Sequence, residues 1–111
     1  MTNELTIFNH EDTDVRTVVI GNKVWFVAKD VCSILGLVNS RDAVTRLDDD
    51  EKQTVALSDT LSRNPNTIVV NEPGLYSLIL RSDKPGAKDF KRWVTHEVLP
   101  SSIINHYIRS E

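Results

Sequence analysis

Five cations crowd into one short stretch of this chain: Arg81, Lys84, Lys88, Lys91 and Arg92, with only Asp83 and Asp89 among them. At 100° per residue, Lys88, Lys91, Arg92 and Thr95 fall within an arc of roughly 100° on one side of a helix. Ala87, Phe90, Trp93, Val94 and Val98 fall on the other side. Lysine is a mobile point charge on a long stem, better suited to phosphate oxygens than to base edges. The chemistry on offer is anion binding, with a nucleic-acid backbone as the leading ligand. Against it stands the plain reading in which Lys and Arg only keep a helix surface in water. Arg81 is expected near the end of the preceding helix, capping its carbonyls or joining the patch.

A second constellation lies earlier. Ala28–Leu35, a turn at Gly36–Asn39 and Ser40–Leu47 have the layout of a helix-turn-helix, whose second helix enters a major groove. Arg41, Thr45 and Arg46 would then read bases, an arginine gripping guanine O6 and N7. An ordinary helical hairpin closing one end of a sheet fits equally. Asp42 shares the outward face, and Asp48, Asp49, Asp50 and Glu51 follow at once.

Residue types that do covalent or metal chemistry are present without the spacing they need. His10, His96 and His106 are scattered, and His96-Glu97 lacks the second histidine that a helical zinc site requires. The acidic run at Asp48–Glu51 reads as a solvated turn rather than a magnesium site. Cys32, near an apolar stripe, reads as an inert core thiol. No glycine-rich phosphate loop, catalytic centre, metal site or cofactor is expected, and the chain is read as a non-enzyme.

The elements that must hold these residues are short. Leu5–Phe8, Val15–Ile20 and Lys23–Val27 read as strands, the last two joined by the hairpin signal Gly21-Asn22. Asn9–Asp14 reads as a polar turn. Val27, Val31, Ile34 and Leu35 share a helical face that Gly36 terminates, and Asn39 or Ser40 caps the next helix. Thr54–Leu57 and Thr67–Val70 form a second hairpin around Asn64-Pro65-Asn66. Helices over Pro73–Arg81 and Ala87–Leu99 follow. This order predicts an α+β fold: antiparallel strands and hairpins with two helical pairs packed against them. Phe90, Trp93, Val94, Leu75, Leu78 and Ile79 are expected to share one core with the Val18–Val27 hairpin, with Tyr76 buried.

The 111 residues form a single domain, 40% hydrophobic and 26% charged, as in ordinary folded domains. No apolar run reaches the roughly 18 residues needed to span a membrane. MTNELTIFNHED has no secretory-signal pattern, and a lone cysteine suits a reducing cytoplasm. The net charge of −3 is unusual for a nucleic-acid binder. It is unevenly spread: residues 1–72 carry 7 basic and 12 acidic side chains, residues 73–111 carry 6 and 4. With a Debye length of about 8 Å at physiological salt, the positive end can act locally.

Two blocks, WFVAKDVCSILGLVNSRDAVTRLDDDEK and NEPGLYSLILRSDKPGAKDFKRWVTHEVLPS, resemble the halves of the Bro N-terminal domain. That module occurs in viral and prophage regulators, phage antirepressors among them. The resemblance covers about residues 24–101. It implies a DNA-binding domain of a transcription regulator in a bacterial host cytoplasm, with double-stranded DNA as partner. The residues it carries over are Lys29, Arg41, Arg46, Arg81, Lys84, Lys88, Lys91 and Arg92. The alternative it implies is an antirepressor that inactivates a repressor protein by direct binding, through a surface such as Asp48–Glu51. Past VLPS the chain diverges: Ser102–Tyr107 stand where the family has a basic, glycine-containing stretch. Ile103, Ile104, Tyr107 and Ile108 are expected to dock on the domain or on a second copy as a homodimer contact.

Overall fold

A computed structural model describes residues 5–56 and 66–100. Its amino-terminal half is a meander of three strands, β1 (Leu5–His10), β2 (Thr13–Ile20) and β3 (Lys23–Val27). Both turns have two residues at positive φ: Glu11 and Asp12 at 47° and 68°, Gly21 and Asn22 at 56° and 66°. That geometry matches the right-handed twist of the flanking strands. The first turn is tighter than the polar loop expected over Asn9–Asp14. Asn9 and Asp14 are instead ladder partners, and Asn9 Nδ2 donates to Asp14 Oδ1 at 3.1 Å.

β4 (Lys52–Ala56) and β5 (Asn66–Val70) complete an antiparallel sheet of order β1-β2-β3-β5-β4. Between the two strand groups come α1 (Ala28–Leu35) and α2 (Ser40–Thr45), and after them α3 (Glu72–Arg81) and α4 (Gly86–Trp93). This is the α+β arrangement the order of elements implies.

Strand periodicity divides the apolar residues between two faces. Val15, Val24, Phe26 and Val70 meet Val31, Leu35, Val44, Leu75, Leu78, Phe90, Val94 and Val98 under the helices. Val18, Val27, Val55 and Val69 form a second cluster with Leu5, Ile20 and Trp25. The expectation of one core over the whole Val18–Val27 hairpin is therefore corrected, because neighbouring residues of a strand point to opposite faces. Trp25 goes with the second cluster, where its Nε1 is buried without an acceptor among the described residues.

Other boundaries move for local reasons. α2 stops at Thr45 rather than Leu47. The carboxyl-terminal helix is not uniform: α4 ends at Trp93 and the chain widens into a π turn over Val94–Val98, with the Leu99 N–H donating to Val94 O. The extra residue keeps Val94 and Val98 inward while His96 and Glu97 stay exposed. Tyr76 is half-buried, not buried, and its hydroxyl donates to Glu72 Oε2 at 3.1 Å. Trp93 is also only half-buried, its ring 6.3 Å from Phe8 and 4.7 Å from His10.

The acidic run folds as a 3₁₀ turn, Asp49–Glu51, with Glu51 Oε1 accepting from the Asp48 N–H at 3.0 Å. α3 lands on this turn. Asn71 N–H donates to Glu51 O, and a methyl group on Gly74 would stand 2.8 Å from the same oxygen. α1 is anchored to β2 by Asp30, whose carboxylate accepts from the Arg16 N–H, Nε and Nη2 at 2.9–3.0 Å.

Candidate nucleic-acid interface

α1 ends where Gly36 adopts φ 72°, letting the Leu37 N–H reach back to Cys32 O at 2.9 Å. This left-handed termination suits glycine, which carries no Cβ to clash. The turn between α3 and α4 folds down on that end. Ser82 Oγ donates to Leu35 O at 2.7 Å and accepts from the Lys84 N–H at 3.2 Å. The Lys84 stem then crosses Gly36 so closely that a methyl group there would lie 2.5 Å from Lys84 Cε.

The outcome is a shallow groove of about 490 Å³ lined in part by Lys29, Ser33, Gly36, Val38, Ser40 and Lys84. Lys29 and Lys84, far apart in sequence, face one concavity. The exposed Lys88 and Arg92 lie one helical turn apart on the outer side of α4, which begins two residues after Lys84. Lys91 is exposed too, but its ammonium sits 5.8 Å from the centre of the Tyr76 ring, leaning on α3.

The remaining candidates fall elsewhere. Arg81 Nη1 donates to Ala43 O at 3.3 Å, so this side chain bridges α3 and α2 and caps another helix's carbonyl. Thr45 Oγ1 donates to Asp42 O at 2.7 Å. Arg46 Nη2 lies 3.6 Å from Asp42 Oδ2, an exposed pair that offsets its charge. Arg41 is exposed and lines a different hollow, against β4.

Sequence reasoning missed three contributors. Ser82 places Lys84; a serine in a turn gives no hint of that. Gly36 carries a helix-stop signal in the sequence, but no local pattern shows that it also makes room for the lysine. Val38 is an apolar side chain fully exposed at the tip of the α1–α2 turn, on the lip of the groove.

Cys32 lies beneath the groove, buried. Burial pushes its thiol above the ordinary value of 9.0, and the Arg81 guanidinium partly counters this. A thiol held protonated is a poor nucleophile. Among the described residues, no group of three His, Cys, Asp or Glu side chains is arranged to hold a metal ion. Nor is any helix there long and apolar enough to cross a membrane.

The family model for the BRO family, N-terminal domain, matches residues 14–100. The chain belongs to that family. The Bro-N match takes in β2 as well as the two blocks that carry the resemblance. An uncharacterized protein of Haemophilus influenzae is 42% identical over 101 residues, covering 87% of this chain and 49% of its own length. Putative Bro-N domain-containing protein 289L of Invertebrate iridescent virus 6 is 32% identical, covering 85% and 27%. Uncharacterized Bro-N domain-containing protein J of Lymantria dispar multicapsid nuclear polyhedrosis virus is 32% identical, covering 81% and 27%. The chain thus spans half or less of the length of these relatives. No solved structure matches it.

Proposed function

We propose that this Bro-N domain is the DNA-contacting, non-catalytic part of a viral or prophage regulator. The groove at Gly36 and the outer side of α4 would seat a duplex backbone. The observation that carries this reading is the convergence of Lys29 and Lys84 on one concavity, with Lys88 and Arg92 exposed on the helix that follows. Lysines from separate elements, one fixed across a glycine, form a partly ordered cationic track rather than a scatter of solvated charge. Such a track contacts phosphates and positions a duplex without reading it. Lys91 and Arg81 belong to its margin, one drawn toward Tyr76 and the other toward Ala43.

Base reading by Arg41, Thr45 and Arg46 is the weaker part of the proposal. Two of these three side chains are engaged with Asp42 or its carbonyl, and α2 has only six residues. Backbone contact with little sequence preference is the expected mode. The presence of the family in viruses and a bacterium suits a mobile-element regulator.

Fluorescence polarisation of a labelled random duplex, at several salt concentrations, tests the reading. Affinity should fall steeply with salt, since each phosphate contact releases condensed counterions. Absence of salt-sensitive binding at low ionic strength would rule the DNA reading out. Repressor capture without DNA contact would then be the function to pursue.

A further inference from the structure

Among the described residues, β4 pairs only with β5. Alternate residues of its outer edge therefore direct N–H and C=O groups away from the sheet. Edge strands are usually blunted by prolines, bulges or charges that block a further strand. Here the one charge, Lys52, is turned aside: its ammonium donates to Val44 O and Thr45 O at 3.2 and 3.5 Å, capping the end of α2.

Beside this edge the helical layer stops short. Val70 is fully covered, but Ile68, two residues earlier on β5, is only half-buried. Between α2 and the sheet lies a hollow of about 350 Å³ lined by Arg41, Val44, Thr45, Lys52, Thr54 and Ile68. Its surface is mainly apolar and its rim carries Arg41, which makes no ion pair among the described residues. A strand laid on β4 would turn every second side chain to the side of the sheet that carries this hollow.

We infer that β4 and the hollow at Ile68 form a docking site for an extended segment of a partner protein that turns one apolar and one acidic side chain, two residues apart, toward α2. The segment joins the sheet as an added strand. Main-chain hydrogen bonds hold it, the hollow takes an apolar side chain, and Arg41 meets a carboxylate. The site is separate from the Lys29–Lys84 groove, so it stands or falls independently of DNA contact. It provides the protein-binding surface that a repressor-directed activity would need, beside Arg41 and not on the acidic turn at Asp48–Glu51.

The test titrates the full chain, labelled with ¹⁵N, with a capped peptide of about seven residues that carries Leu and Glu two positions apart among threonines, so that both face α2, and is long enough to span a strand. Saturable shifts are expected at Gln53, Thr54, Val55, Ile68 and Val44. Peptides with Leu→Ser or Glu→Lys should bind at least about tenfold more weakly, a difference of about 1.4 kcal/mol. Thr54→Trp, at an exposed strand position, should fill the hollow and abolish binding with the melting temperature unchanged. Arg41→Glu should reverse the preference toward the Lys peptide. Replacing Lys84, Lys88 and Arg92 by Gln should leave peptide binding as it was, which separates this site from the DNA reading. Equal binding of the Glu and Lys peptides, or no saturable shift at β4, overturns the inference. So does a duplex that shifts the β4 and α2 amides where the peptide does not.

Discussion

The stem of Lys84 lies across the backbone of Gly36, so close that a single methyl group at position 36 would come within 2.5 Å of Lys84 Cε. One residue thus meets two requirements: φ of 72° to end α1, and a bare α-carbon to seat a cation from the other half of the chain. The Ser82 hydroxyl, bonded to Leu35 O, fixes the approach.

Gly36→Ala should cost about 1–3 kcal/mol, the range for a non-glycine residue held in the left-handed region, and should also weaken duplex binding by displacing Lys84. Gly21→Ala is the control. Its φ is 56° but nothing lies near the added methyl, so it should lose stability without affecting duplex binding. Urea unfolding and polarisation titrations measure both. Equal duplex affinity for Gly36→Ala and the parent would show that the seat is irrelevant to binding.

Replacing Lys84, Lys88 and Arg92 together by Gln should flatten the plot of log affinity against log salt by roughly 2–3, at about 0.9 for each phosphate no longer neutralised. The weakening should be alike on unrelated duplexes, because phosphates carry no sequence. All three side chains are exposed, so the melting temperature should hardly move.

Asp30 accepts three hydrogen bonds from Arg16, including one from its backbone N–H. Its side chain is 13% exposed and that of Arg16 26%. Asp30→Ala should lower unfolding free energy by about 1–3 kcal/mol, since it removes three part-buried hydrogen bonds to a charged acceptor. Asp30→Asn should fall between, keeping one acceptor oxygen but no charge. A loss below about 0.5 kcal/mol, typical of neutral surface changes, would show that the pair does not anchor α1.

Phe90 is fully buried, and Phe90→Ala should cost about 3–5 kcal/mol. Trp93 is half-exposed and held by ring contacts with Phe8, His10 and Phe90. Its truncation to Ala should cost less, about 1–3 kcal/mol, from partial burial plus aromatic pairing. Chemical denaturation of both variants gives the order; the reverse order would contradict the placement of α4.

The raised thiol of Cys32 makes a pH prediction with a definite sign. The folded state holds the proton more tightly than the unfolded chain, whose thiol titrates near its ordinary 9.0. The stabilising contribution is therefore complete below that pH and is lost as pH rises beyond it. Tyr76, raised from 10.0 chiefly by burial and then by its bond to Glu72, acts in the same direction at higher pH. Urea midpoints taken from neutral to alkaline pH should decline less in Cys32→Ala than in the parent. A parallel decline would mean the thiol does not titrate differently on unfolding. Thiol reagents should label Cys32 only slowly without denaturant.

Much of this fold is written locally. Gly21-Asn22 specifies a hairpin because both positions must reach positive φ, and the pair does so at low cost. Asn39 and Asn71 cap α2 and α3 through their side-chain oxygens, bonded to the N–H groups of Asp42 and Gly74. The helical spacing of Ala87, Phe90 and Val94 marks the inner side of the last helical segment, and the structure buries all three. Short-range pattern was less dependable where local signals competed. Glu11-Asp12 closes a hairpin without glycine, and the π turn at Val94–Val98 leaves no signature in composition. The proposed self-association of Ile103, Ile104, Tyr107 and Ile108 lies outside the described residues.

By itself, then, the sequence determined the element types, the α+β class, the family and the inventory of cations available for a ligand. Only the tertiary structure decided which cations lie together. Lys29 and Lys84 share a groove, Arg81 leaves it for Ala43 O, and Arg46 turns to Asp42. A helical period fixes which way a side chain leaves its own element, but not what the neighbouring element presents to it. That depends on contacts between residues distant in sequence, such as Ser82 with Leu35 and Lys84 with Gly36, which no local pattern encodes.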